Sequence, residues 1–158
     1  MSAAPPDSVP PTVPASVPHT PAGSRPHTPA PPETVRRWHE VVDCPDPVRR
    51  SALLADLLGD DPVFHSPAVH SAQPGRALTT RYLEAAMVVL GPTLTYEREL
   101  VTGDSAALEF RADLEGMAVH GIDLIRWGDD GRIVDFTVMV RPMKGLQALV
   151  ERMAAQLR

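Results

Sequence analysis

Between residues 94 and 141 apolar and polar side chains alternate in successive runs, and each run ends at a turn signal. A period of two is what a strand with one buried face requires. In the run 106–115, Leu108, Phe110, Ala112 and Leu114 share one side, while Glu109, Arg111, Asp113 and Glu115 share the other. In 132–140, Val134, Phe136, Val138 and Val140 oppose Asp135, Thr137 and Met139. Thr102-Gly103-Asp104, Glu115-Gly116 and Gly128-Asp129-Asp130-Gly131 separate strands predicted over 94–101, 106–115, 119–127 and 132–140. The pattern predicts an antiparallel meander with one apolar face.

Helical spacing governs the chain before it. Val35, Trp38, Val41 and Val42 predict a helix over 33–43, and Leu53, Leu54, Leu57 and Leu58 a second over about 48–58. A short strand, 63–65, and a loop to Gly75 lead into a third helix over 76–89. Its apolar side carries Leu78, Tyr82, Leu83, Ala86 and Met87. A last amphipathic helix is predicted over 145–157. Three helices, an antiparallel meander and a C-terminal helix make an α+β fold.

Residues 1–32 differ from this domain, 33–158. They hold 11 of the 18 prolines and no Leu, Ile, Phe, Trp or Tyr. Such a segment buries too little apolar surface to offset its ordering entropy and is expected to be a disordered tail. A Pro-rich tail can serve as an extended ligand for a partner domain, but here the prolines lack flanking basic residues, so a linker or simple extension is expected. The net charge is −5 without a Lys/Arg cluster, which argues against nucleic-acid binding. The lone Cys44 excludes a disulfide framework and a Cys-rich zinc site. Apolar runs too short to span a membrane, and no secretory pattern at the N-terminus, predict a cytoplasmic protein.

One residue breaks the rule of the sheet. In 119–127, Asp123 shares a side with Val119, Gly121, Ile125 and Trp127, while His120, Ile122, Leu124 and Arg126 take the other. Both sides are largely apolar, as for a central strand covered twice. A carboxylate there must be neutralised by a raised pKa or paired with a donor. It is either a cavity acid or base, or a structural aspartate held by an arginine or a backbone amide.

The segment Leu57-Leu58-Gly59-Asp60-Asp61-Pro62-Val63-Phe64-His65-Ser66-Pro67, with Gly121-Ile122-Asp123-Leu124-Ile125-Arg126-Trp127 and Asp130-Gly131-Arg132-Ile133-Val134, resembles the nuclear-transport-factor-2-like superfamily and its SnoaL-like and ketosteroid-isomerase-like members. The resemblance implies a cone of helices on a curved sheet around a cavity, and a homodimer through the sheet's outer face. The ketosteroid isomerase pattern puts its neutral aspartic acid at Asp123. It puts the general base at Ser66, where a hydroxyl cannot replace a carboxylate, and the oxyanion-hole tyrosine near Trp38. Leu108, Phe110, Phe136 and Val138 match the pocket walls, with Tyr82 and Met87 on the covering helix. Arg111-Ala112-Asp113 resembles the Arg-x-Asp element of limonene-epoxide-hydrolase-like members, but Val138 stands opposite the position expected for their second aspartate, which leaves epoxide hydrolysis a minor alternative.

His65 and Ser66 are strand neighbours pointing to opposite faces and form no catalytic pair. His65 and His70 lack a third metal ligand, and no phosphate loop or dinucleotide fingerprint occurs, so neither metal nor cofactor is expected. The expected function is binding of a small apolar molecule, anchored by Asp123. It is either a cofactor-free isomerase, cyclase or dehydratase on a ketide- or terpenoid-like compound, or a non-catalytic ligand-binding or dimerising module.

Overall fold

The computed structural model describes residues 32–158, so the expectation for the Pro-rich segment lies outside the described residues apart from Pro32. Helices α1 (Glu33–Asp43) and α2 (Pro47–Leu57) form an antiparallel-style hairpin through Cys44-Pro45-Asp46. Asp46 caps α2 by accepting from the Val48 and Arg49 amides, and Pro47 occupies the first turn, where no amide hydrogen is needed. Then come β1 (Leu58–His65), β2 (Gln73–Pro74), α3 (Arg76–Val89), β3 (Thr95–Thr102), β4 (Ser105–Leu114), β5 (Met117–Trp127), β6 (Ile133–Arg141) and α4 (Met143–Gln156).

The sheet is curved and unclosed, in the order β2-β1-β6-β5-β4-β3. The meander β3–β6 is antiparallel as the alternation predicts. The remaining long pairing is not: β1 runs parallel to β6, Phe64 beside Phe136, which makes the sheet mixed. β1 also starts earlier than predicted. Gly59-Asp60-Asp61-Pro62 ends the helix but stays extended across a register shift between Leu58 and Val63. The Arg76 guanidinium fixes that stretch, donating to the Leu58 and Gly59 carbonyls and to Asp60 Oδ1. The two residues of β2, read as loop, pair with Val63 and Phe64.

Burial follows the predicted parity in β4 and β5, whereas at the start of β6 a register shift beside Trp127 buries Ile133 in place of Val134. Ala106, Leu108, Phe110, Ala112 and Leu114 of β4 are buried, as are Val119, Gly121, Asp123, Ile125 and Trp127 of β5. The other side of β5 is not a second core: His120 and Ile122 are half-buried and Leu124 and Arg126 exposed. The core therefore lies on the concave side, where Val35, Trp38, Leu54, Leu57 and Leu83 of the helices meet Leu108, Ile125, Ile133 and Phe136. A second group, Leu90, Phe110, Ala112, Leu114, Val119 and Leu149, packs beneath α4. Tyr96 and Val138 touch both groups.

Gly121 is required by this packing. A Cβ there would lie 2.3 Å from Phe110 Cζ and 2.7 Å from the Met139 carbonyl oxygen, so the Phe110 ring occupies the space a side chain would need. Gly121→Ala is expected to cost about 1–3 kcal/mol by overpacking. Urea denaturation of the single variants and of the Phe110→Ala/Gly121→Ala double variant checks this, because the double should cost less than the sum of the singles.

Candidate active site and cavity

Asp123 is 5% exposed and is the only buried acidic or basic residue among the described residues. Its strand partners are Leu108 on β4 and Val138 on β6, so hydrocarbon flanks it on both sides. Tyr96 reaches it from β3: its hydroxyl donates to Asp123 Oδ2 at 2.6 Å. Trp38 of α1 then donates from Nε1 to the same tyrosine oxygen at 2.7 Å. With its oxygen occupied by the indole, the tyrosine hydrogen is directed at the carboxylate. The result is a buried relay, Trp38 to Tyr96 to Asp123.

Desolvation pushes the Asp123 carboxyl up to about 7, and the Tyr96 hydrogen bond acts in the opposite sense. The Tyr96 phenol is pushed well above its ordinary value, first by burial and then by the adjacent carboxylate. The pair can thus hold or release a proton near neutral pH at Asp123, while the phenol stays protonated.

The resemblance put the tyrosine near Trp38, but the hydroxyl comes from Tyr96. The sequence signal was weak. Every other residue of β3 is exposed, and a register shift between Tyr96 and Arg98 breaks the alternation that would have marked Tyr96 as inward.

A cavity of about 150 Å³ lies apart from this relay, between α3, α4 and the ends of β1 and β6. Phe64, Tyr82, Ala86 and Val138 form its floor and α3 side; Leu149, Val150, Met153, Ala154 and Leu157 cover it. Ser66 and Tyr82 are the lining residues with polar side chains, so the wall is almost entirely hydrocarbon. Of the pocket residues expected from sequence, Ser66, Tyr82 and Val138 line it. Trp38, Leu108, Phe110 and Phe136 are instead fully buried core, and Met87 is buried in the helix layer. Asp123 is not a lining residue. A row of rings joins the two regions: Trp38 meets Phe136 edge-on at 4.8 Å, Phe136 lies 6.2 Å from Phe64, and Phe64 stacks on Tyr82 at 5.1 Å.

The remaining candidates lie on the outer face or at its rim. His65 Nε2 is 3.1 Å from Asp135 Oδ2, and with His70 it borders an open groove. Ser66 Oγ accepts from the Ala68 amide. Arg111 pairs with Glu97, and Asp113 accepts from the Gly116 amide, so the Arg-x-Asp pair faces outward, away from Asp123. His120 Nε2 lies 2.7 Å from Glu109 Oε1, opposite in facing to Asp123. Glu97, Glu109 and His120 come within 4.8 Å of one another, but Arg111 and Arg98 already neutralise the two carboxylates.

Helices on the concave side of a curved six-stranded sheet, with a buried acid and a one-sided apolar cavity, define the class of α+β cones. Comparison with solved structures gives the family. A steroid Δ-isomerase from Pseudomonas aeruginosa is 41% identical, covering 78% of this chain and 88% of that one, with a TM-score of 0.71. A Silicibacter pomeroyi protein with a cystatin-like fold is 31% identical over 78% and 84% of the two chains, TM-score 0.70. A nuclear-transport-factor-2-like protein from Mesorhizobium loti is 25% identical over 70% and 89%, TM-score 0.58. No family model and no curated protein matches the sequence. The chain belongs to the nuclear-transport-factor-2-like superfamily.

Two predictions follow from the relay's electrostatics. Because the folded-state pKa of Asp123 is raised, its contribution to stability is fully present below about pH 4 and is lost as pH rises toward about 7. Asp123→Asn keeps an acceptor for Tyr96 without a charge. Its stability relative to wild type should therefore rise by about 2–3 kcal/mol between pH 5 and pH 8, read from denaturation at both pH values. Tyr96→Phe removes the bond that lowers the Asp123 value, so carbon-detected titration should find that carboxyl titrating higher still, with a stability loss of about 1–3 kcal/mol.

Proposed function

We propose that this domain binds a small, uncharged, largely apolar molecule in the cavity between α3, α4 and the β1/β6 ends. The observation that carries the reading is the cavity itself: about 150 Å³, partly open, and walled by hydrocarbon. An apolar cavity of this size in other proteins stays dry and takes up a benzene-sized guest. Charged compounds would lose their hydration with no ion partner among the lining residues. Toluene should therefore raise the melting temperature, by about 1.4 kcal/mol of stabilisation at ten times its Kd. Ala86→Phe, which fills the cavity from α3, should abolish the shift; an equal shift in that variant would place the guest elsewhere.

A second reading is cofactor-free acid/base catalysis, favoured by the near-neutral carboxyl of Asp123 beside the Tyr96 hydroxyl and by the likeness to a steroid Δ-isomerase. Ser66 stands where that pattern carries its base, and a hydroxyl cannot abstract a carbon-bound proton at useful rate. With 3-cyclohexenone, whose conjugated isomer is followed by absorbance, wild type should show no more turnover than Asp123→Asn. Ser66→Asp should exceed both. Turnover by wild type that Asp123→Asn abolishes would establish the enzyme instead.

We also read the outer sheet face, where Leu100, Leu124 and Met139 are exposed among charged and polar side chains, as the contact of a homodimer. No described helix is long and apolar enough to cross a membrane.

A further inference from the structure

Val138 stands where the cavity and the buried acid meet. It lines the cavity, and across the β5–β6 pairing its partner is Asp123. Residues directly opposite in an antiparallel pair project side by side from one face. Val138 also packs against both groups of the core, so its branched side chain fills the seam between them. On the carboxyl's other flank Leu108 is fully buried, and Tyr96 closes Oδ2. The longer way round, from Tyr82 to Trp38, is filled by the stacked and edge-on rings.

Resting on the reading that the cavity binds an apolar molecule, we propose that Val138 is a specificity-determining partition, one side chain thick, that keeps the bound molecule off Asp123. With the partition in place, a carbonyl brought into the cavity gives up its water without meeting the acid. A hydrocarbon of the same shape has nothing to give up. The site therefore selects hydrocarbon, although a strong hydrogen-bonding group lies just behind the wall. Shortening Val138 to alanine removes both γ-methyls and extends the cavity toward the carboxyl.

The test uses the full chain with carboxyl-labelled aspartate and two probes of like shape, methylenecyclohexane and cyclohexanone. Wild type should bind the alkene about five-fold or more tighter than the ketone. Neither probe should move the Asp123 carboxyl resonance beyond its line width. Val138→Ala should reverse the preference, with the ketone now shifting that resonance. Val138→Ile should shrink the cavity and weaken both probes while leaving the order of affinity as in wild type, which keeps the test decisive if the alanine variant fails to fold. A ketone-induced shift of Asp123 in wild type, an unchanged preference in Val138→Ala, or unchanged affinities in Val138→Ile would each overturn the partition. Absence of binding by either probe to wild type would overturn the ligand-binding reading itself.

Discussion

The hydrogen bond from Tyr96 to Asp123 reconciles two demands that otherwise conflict in this fold. A concave sheet face covered by helices has to be hydrocarbon, yet β5 places a carboxyl in its middle. Burial alone would drive that group neutral; a single phenol, itself held by an indole, leaves it balanced near pH 7. The bond also joins elements far apart in sequence, since Trp38 belongs to the first helix, Tyr96 to the edge strand and Asp123 to an interior strand. The relay is thus a structural tie as well as a titrating site.

Around it the aromatic residues do what a ligand would do in a more open cone. Phe136 and Phe110 are fully buried, the latter over a glycine that leaves room for its ring. Among the described residues the apolar cavity lies toward α4, whose side chains there are Leu, Val, Met and Ala. Acid and cavity are therefore neighbours separated by packing. A wider cone with the same carboxyl would expose it to whatever entered.

Much of this was legible from residues alone. The period of two located Asp123 on the buried face, because a one-residue slip would have exposed Leu108, Phe110 and Phe136 together. The helix limits followed from Pro32, from the Pro45 to Pro47 segment and from Gly91-Pro92. What alternation could not reveal was pairing between strands distant in sequence. Nothing in Val63-Phe64-His65 says that its neighbour is Phe136, or that the neighbour runs parallel. Tyr96 was hidden by a local irregularity in an otherwise polar strand. The division of apolar residues into filled core and empty cavity was also beyond pattern, because it depends on how α4 lies across the sheet.

The parallel pairing of β1 with β6 has a kinetic side. Phe64 and Phe136 meet across about 70 residues, so that contact closes a long loop, whereas β3 to β6 form from successive short turns. The meander can organise first and β1 dock onto it late. Phe64 and Ser66 arrive with β1, Val138 waits on β6, and the cavity they share comes into being only at that step. A guest would then grip a structure completed after the folding barrier. It would slow unfolding while leaving the folding rate almost untouched.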